Sequence, residues 1–370
     1  MFYMKKIVWL LVALMLSFSS VGVYSADKKT HKSSALAKKH QYVKSQAKRV
    51  TSVRSVKQKS AKKLNVSIRK TSARVSKKSG YFHRAKQSYF DAYDGSGPLE
   101  LASSKALVIN QLTGETIYAK NTNVVTPIAS VTKLMTAMVT FDAHLPMDDI
   151  LFIGEDDVDY LKGTSSRLSV GSALTRSELM QLALMSSENR AAAALGRNYP
   201  GGMSAFISAM NLKAAMLGMK DTRFVDATGL DSSNVSTADD LVRMVNAAHQ
   251  YPEIRQITTT PSQEVQIYGR RSPTSFVNTN ALVRADNNWV IGLSKTGFIN
   301  EAGRCLVMQA EITGQPLIIV LLDSAGKFTR IGDANRIRKW LEHRQATTPN
   351  STITGAHEHD ELALKAQVNS

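Results

Sequence analysis

The chain has 370 residues, 43% of them hydrophobic, with 47 Lys and Arg against 30 Asp and Glu, one Cys and a formal charge of +17. One cysteine excludes an internal disulfide framework, and the length excludes a minidomain that depends on cross-links or metal to hold its core. So high a charge suggests a nucleic-acid binder until the charge is located along the chain.

Lys5 and Lys6, the apolar run Ile7–Leu16 and the small residues before Ser25 are the charged, apolar and cleavage parts of a secretory signal, predicted over 1–25. The apolar run is shorter than the roughly 20 residues that span a bilayer, which favours a cleaved signal over an anchor. Residues 27–90 then hold 20 of the 47 basic residues and a single acid, Asp27. Segment 26–92 is therefore expected to be a disordered, self-repelling linker, and the rest of the chain is mildly acidic. Tyr81, Phe82, Tyr89, Phe90 and Tyr93 mark where it begins to dock onto a folded domain, predicted over 93–344, and the polar stretch 345–370 reads as a disordered tail. For an exported protein, periplasmic and soluble or loosely membrane-associated, the arm 27–90 is expected to meet anionic wall material or membrane lipid rather than nucleic acid. A plain solvated spacer is the alternative.

Within the domain, strands are predicted at Ala106–Ile109 and Ile117–Tyr118, and helices should dominate 128–250. Trp289–Leu293, Cys305–Met308 and Pro316–Leu322 read as adjacent antiparallel strands, with Cys305 buried. This is an α/β chain of the α+β type whose sheet is assembled from both ends of the domain.

Three motifs carry chemistry: Ser130-Val-Thr-Lys133, Ser187-Glu-Asn189 and Lys295-Thr-Gly297. Ser-x-x-Lys alone says little, since Ser45 to Lys48, Ser60 to Lys63, Ser67 to Lys70 and Ser324 to Lys327 also match. Ser130 differs in its surroundings: Thr126-Pro127 precedes it, and Leu134, Met135, Ala137, Met138, Val139 and Phe141 follow, the pattern of a helix start with apolar support. Three residues apart on a helix, Ser130 and Lys133 share a face. A serine nucleophile needs a base within hydrogen-bond reach, and lysine serves only when burial or a second cation lowers its pKa. Lys133 is assigned as that base and Lys295 as the second cation.

Ser187 and Asn189 interrupt an apolar region, where unpaired polar groups are costly, so they should face one another or a substrate. Ser187 is a candidate proton relay to a leaving amine, with a helix-terminal cap as the rival reading. Asn189 is a candidate ligand for a substrate peptide bond. Lys295 and Thr296 can bind an anionic terminus, Gly297 admits close backbone approach, and the N–H groups of Ser130 and Phe298 are candidate oxyanion donors. Thr296 and Arg304 are candidate carboxylate contacts, Arg304 being alternatively a surface residue. A second Ser-x-Asn match, Ser232-Ser-Asn234, reads as loop. With no His-Glu-x-x-His and no phosphate-binding glycine loop, no metal and no cofactor are expected.

Pro127-Ile-Ala-Ser-Val-Thr-Lys-Leu-Met-Thr-Ala-Met138, Leu182-Ala-Leu-Met-Ser-Ser-Glu-Asn-Arg-Ala-Ala192, Thr228-Gly-Leu230, Val235-Ser-Thr-Ala-Asp239 and Lys295-Thr-Gly-Phe-Ile-Asn-Glu-Ala-Gly-Arg304 together resemble the low-molecular-mass penicillin-binding proteins of the serine D-alanyl-D-alanine peptidase group. The resemblance implies a five-stranded antiparallel sheet packed on a helical subdomain, the penicillin-binding and serine β-lactamase-like fold, with the active site in the cleft between. It also implies acylation of Ser130 by peptidoglycan stem peptides and, as covalent inhibitors, by β-lactam antibiotics. The expected lack of a second all-β domain and of an amphipathic anchor leans towards the endopeptidase branch, which hydrolyses D-alanyl cross-links. A carboxypeptidase on uncross-linked pentapeptides and a non-catalytic wall-binding protein are the alternatives. A β-lactamase would need a Glu-x-x-Leu-Asn element between Asn189 and Lys295, and none stands there.

Overall fold

The computed structural model describes residues 93–347 apart from 269, 286 and 287; the expected signal, basic linker and most of the tail lie outside the described residues. Strands β1 (Lys105–Asn110) and β2 (Thr116–Lys120) form a hairpin, followed by β3 (Thr126–Pro127), a 3-10 turn at Ala129–Thr132 and α1 (Lys133–Asp142). The helical lobe continues through β4 (Ile150–Phe152), β5 (Ala173–Thr175), α2 (Arg176–Met185), α3 (Asn189–Arg197), α4 (Gly202–Met216), β6 (Val235–Ser236), α5 (Ala238–Ala248) and α6 (Pro252–Thr258). A hairpin of β7 (Ser262–Val265) and β8 (Thr274–Val277) and the short α7 (Ala281–Arg284) lead back to the sheet strands β9 (Val290–Ile299), β10 (Gly303–Ile312) and β11 (Gln315–Ser324), and α8 (Thr329–Thr347) follows.

The sheet order is β2-β1-β11-β10-β9, antiparallel throughout, so the two ends of the domain build one sheet as expected and β9 is left at an edge. Both faces of the sheet are covered, which is why Pro316–Leu322 reads as an unbroken apolar run instead of an alternating one. Ile318, Val320 and Leu322 pack with the helical lobe, while Leu317, Ile319 and Leu321 pack with Ala334 and Ile337 of α8. Helix α1 is buried from Lys133 to Thr140 and forms the middle of the helical lobe. Its polar residues are satisfied locally: Thr136 donates to the Ala227 carbonyl at 2.7 Å and Thr140 to the Thr136 carbonyl at 2.8 Å. Helix α2 starts at a capping box of Thr175 and Glu178, and Thr237 caps α5 through the Asp240 amide.

Three details differ from the sequence reading. Pro127 does not open a helix; it pairs with Val235 in the two-residue ladder β3–β6, and the chain then tightens into the 3-10 turn that carries Ser130. The β7–β8 hairpin is unanticipated because β7 reads Ser-Gln-Glu-Val with only Val265 buried, which leaves no apolar alternation to detect. Helix α8 runs to Thr347, past the expected domain edge at 344, because its last turns are polar and carry no helix stop.

Candidate active site

The turn holding Ser130 is shaped before any catalytic group is considered. Ala129 has φ +48°, a left-handed conformation that costs a residue with a Cβ about 1 kcal/mol or more. Two glycines let the surrounding backbone press onto this turn. A Cβ on Gly229, itself at φ +79°, would lie 1.9 Å from the Ala129 carbonyl oxygen, and one on Gly297 would lie 2.9 Å from the Ile128 carbonyl and 3.0 Å from the Ser130 nitrogen. Strand β9 therefore packs its backbone directly against the Ser130 amide, which only glycine permits.

In the 3-10 turn, residues three apart eclipse one another, and this brings Lys133 onto Ser130. The Lys133 amine lies 2.8 Å from Ser130 Oγ, 2.8 Å from Asn189 Oδ1 and 2.7 Å from the Thr228 carbonyl oxygen. Lys133 is fully buried. Burial pulls its pKa down from the ordinary lysine value to about 7, against the opposing pull of the Asp226 and Glu188 carboxylates. The three partners are not equivalent. Asn189 Oδ1 and the Thr228 carbonyl can only accept, so they take the two N–H groups of a neutral amine and turn its lone pair towards the one partner that can donate, the Ser130 hydroxyl.

Lys295 rises from β9 on the opposite side, also buried, and donates to Ser187 Oγ at 2.9 Å and to the Thr296 carbonyl at 3.2 Å. Burial first, then the cations Lys133 and Arg330, hold its amine well below the lysine range. Ser187 is not a helix cap. The C-cap of α2 is Ser186 and the N-cap of α3 is Glu188, and Ser187 stands between them at φ +61°, a strained conformation that aims its hydroxyl at Lys295. The Asn189 amide nitrogen donates to Thr164 Oγ1 at 3.0 Å. Thr296 donates to Thr279 Oγ1 at 2.7 Å, and Thr279 is itself tied by its backbone to the Met185 carbonyl.

The structure thus brings Ser130, Lys133, Ser187, Asn189, Lys295, Thr296 and Gly297 into one cluster. Phe298 and Arg304 form a separate pair at its border. They face each other across β9 and β10, with the guanidinium 4.3 Å over the half-exposed ring. They are one residue out of phase with Gly297 and Cys305 and in phase with Thr296, and Arg304 is near enough to Arg330 to lower its pKa.

The family model described as D-alanyl-D-alanine carboxypeptidase matches residues 92–326. The chain belongs to that family of serine peptidases. It is 51% identical over 248 residues to a D-alanyl-D-alanine endopeptidase of Pseudomonas aeruginosa, covering 67% of this chain and 80% of the relative. It is 48% identical over 243 residues to a D-alanyl-D-alanine endopeptidase of Escherichia coli, covering 66% and 78%. Among solved structures, the Streptomyces K15 DD-transpeptidase superposes with a TM-score of 0.61 at 28% identity, covering 68% of this chain and 99% of that one.

Several residues that build this peptidase site escaped the sequence reading. Asp226 accepts the amides of Thr228 and Gly229 at 2.6 Å each and that of Asp231 at 2.8 Å, which holds the Thr228 carbonyl over Lys133. Asn234, read as part of a loop, is fully buried and fastens Val225 and Asp226 to Thr132. The signal for Asp226 was Asp226-Ala-Thr-Gly229, a side-chain-capped turn ending in glycine. Arg330 of α8 is a third. Its Nε and Nη1 are buried without a hydrogen-bond partner, and burial with Arg304 nearby lowers its pKa to about 10. An unpaired cation close enough to act on Lys295 is suited to an anionic ligand. Nothing in the local sequence marks it.

Proposed function

We propose that the protein is a peptidoglycan DD-endopeptidase that opens D-alanyl cross-links through an acyl-enzyme on Ser130. The observation that carries this reading is the Lys133 amine, buried, with a pKa of about 7, and bonded to two obligate acceptors and one hydroxyl. Lys133 takes the Ser130 proton as Oγ attacks the D-alanyl carbonyl, and the backbone N–H groups of Ser130 and Phe298 receive the developing oxyanion. The C–N bond then breaks. Its nitrogen leaves as an amine after receiving a proton through Ser187, which Lys295 orients, and water hydrolyses the ester to a carboxylate and free Ser130. Strand β9 is an edge, so a stem peptide can add alongside it in the manner of a further strand, with Asn189 meeting a peptide bond. Lys295, Thr296 and Arg330 meet the carboxylate beside the scissile bond. Gly297 allows the close approach. Arg304, stacked on Phe298 and close to Arg330, borders the cleft as a further candidate for that carboxylate.

The endopeptidase preference rests on the two relatives that share about half of their aligned residues with this chain. The same cluster suits a carboxypeptidase, as the family description has it. Mass spectrometry of products from cross-linked muropeptide dimers and from pentapeptide monomers, each with and without penicillin, separates the two. Penicillin-sensitive conversion of dimers to monomers is expected; release of terminal D-alanine alone would make it a carboxypeptidase. We also propose that the signal directs the chain to the periplasm and that residues 27–90 lie on anionic wall or membrane surface. No helix among the described residues is long and apolar enough to cross a membrane.

A further inference from the structure

The cleft is bridged at its mouth. The loop between the 3-10 turn Glu155–Asp157 and β5 is a built structure: the Asp159 carboxylate accepts the backbone amides of Leu161, Lys162 and Thr164 at 2.9 Å each and the Thr164 hydroxyl at 2.6 Å. Its root belongs to the helical lobe. Thr164 accepts from Asn189, Ser166 donates to Glu188 at 2.6 Å, and Arg167 stacks 5.2 Å over Phe276 of β8 and donates to the Ser275 carbonyl. Its tip crosses to the sheet. Lys162 Nζ lies 2.5 Å from Glu301 Oε1, on the turn between β9 and β10, immediately beyond the strand that carries Lys295 to Phe298. Beside that bond Tyr160 and Leu161 stand exposed.

We propose that the Lys162–Glu301 ion pair is a strap across the cleft that governs which substrates reach Ser130. The inference rests on the cleft along β9 being the peptide site. A short peptide or a penicillin has a free end and can thread beneath a closed strap. A stem peptide joined to polymer at both ends cannot thread; it must be laid in from the side, and the strap must open first. The pair is suited to this. Lys162 keeps 25% and Glu301 44% of its side-chain surface in solvent, so the bond is weak, screened by salt and reversible. Opening it leaves the loop root, and with it Asn189, in place.

The test uses the full chain as wild type, Lys162→Met, Glu301→Gln and the exchange of Lys162→Glu with Glu301→Lys. Two rates are compared for each: release of fragments from intact cross-linked sacculi, and acylation by a fluorescent penicillin. Both single variants should raise the ratio of sacculus cleavage to acylation by about two- to fivefold, the range expected for losing an exposed pair, and the exchange should return it to the wild-type value. A ratio that is unchanged or lowered in the single variants, or an exchange that behaves as they do, overturns the strap. Wild-type protein that takes up no penicillin would fail at an earlier point, because the active-site reading itself would fall.

Discussion

The assignment of Lys133 as base makes the pH profile of acylation the sharpest test of this site. With its amine at a pKa of about 7, the reactive neutral form makes up about half the protein at pH 7 and about a tenth at pH 6. The second-order rate constant for acylation by a fluorescent penicillin should therefore rise about fivefold from pH 6 to 7, approach tenfold per unit below pH 6, and level off above about pH 8. Two carboxylates set the midpoint from the other side. Asp226 and Glu188 favour the ammonium; Glu188 Oε2 accepts from Ser166 and Oε1 from the Arg167 amide, and glutamine removes the charge while keeping one of these two acceptors. Glu188→Gln should shift the midpoint to lower pH and make the variant faster than wild type at pH 6. Lys133→Arg keeps the positive charge but cannot lose a proton, and should cost roughly the 10²- to 10⁴-fold that general bases contribute. The linkage to stability has a definite sign. Between about pH 7 and the unfolded lysine value of 10.5 the unfolded chain holds a proton that the folded one has released, so this group adds stability as pH rises through that window. A flat acylation profile from pH 5.5 to 8.5, or a Glu188→Gln midpoint displaced upward, would refute the assignment.

Gly229→Ala places a methyl 1.9 Å from the Ala129 carbonyl at φ +79°, so it should displace the Ser130 turn and lower acylation by at least about tenfold, as read by the same labelling. Asn234→Ala removes the buried amide that fastens Val225, Asp226 and Thr132; a loss of about 2–3 kcal/mol is expected, seen by calorimetry as a Tm about 4–12 °C lower. Arg330→Met removes a buried cation whose Nε and Nη1 have no partner, so Tm should hold or rise while turnover of peptides bearing a free carboxylate falls. A Tm that drops with activity would mean that Arg330 is structural.

The parts legible in sequence are those whose signal is local. Pro316–Leu322 is apolar because both faces of β11 are covered, and Leu179–Met185 because α2 is packed into the helical lobe, so composition alone located them. Ser130 and Lys133 were legible because their spacing and contact are the same fact, three residues within one turn. The role of Thr228, although Thr228-Gly-Leu230 is one of the motifs carrying the resemblance, and that of Arg330 were not. Thr228 contributes a carbonyl oxygen, which every residue has, and its position over Lys133 depends on Asp226 and Asn234 folding a loop 95 residues downstream. Arg330 is one arginine among many, and its meaning lies in lacking a partner, which only the packed structure reveals. Arg304 is a candidate whose setting only the fold supplies: the register of β9 and β10 places it opposite Phe298, with the guanidinium over the ring.

A lysine base also explains why the site lies between two lobes. A buried ammonium is expensive, and a single helix or sheet face can cover a side chain on one side only. Lys133 starts a helix of one lobe and keeps its bonds there, with Ser130, Asn189 and the Thr228 carbonyl, while Lys295 rises from the edge strand of the other lobe and crosses to Ser187. Separating the lobes would break the Lys295–Ser187 bond, rehydrate Lys295 and raise its pKa, and draw Gly297 away from the Ser130 amide. The residues that hold the lobes in register, Gly297 against the Ser130 amide and Thr296 against Thr279, therefore set the chemistry through water exclusion as much as through position.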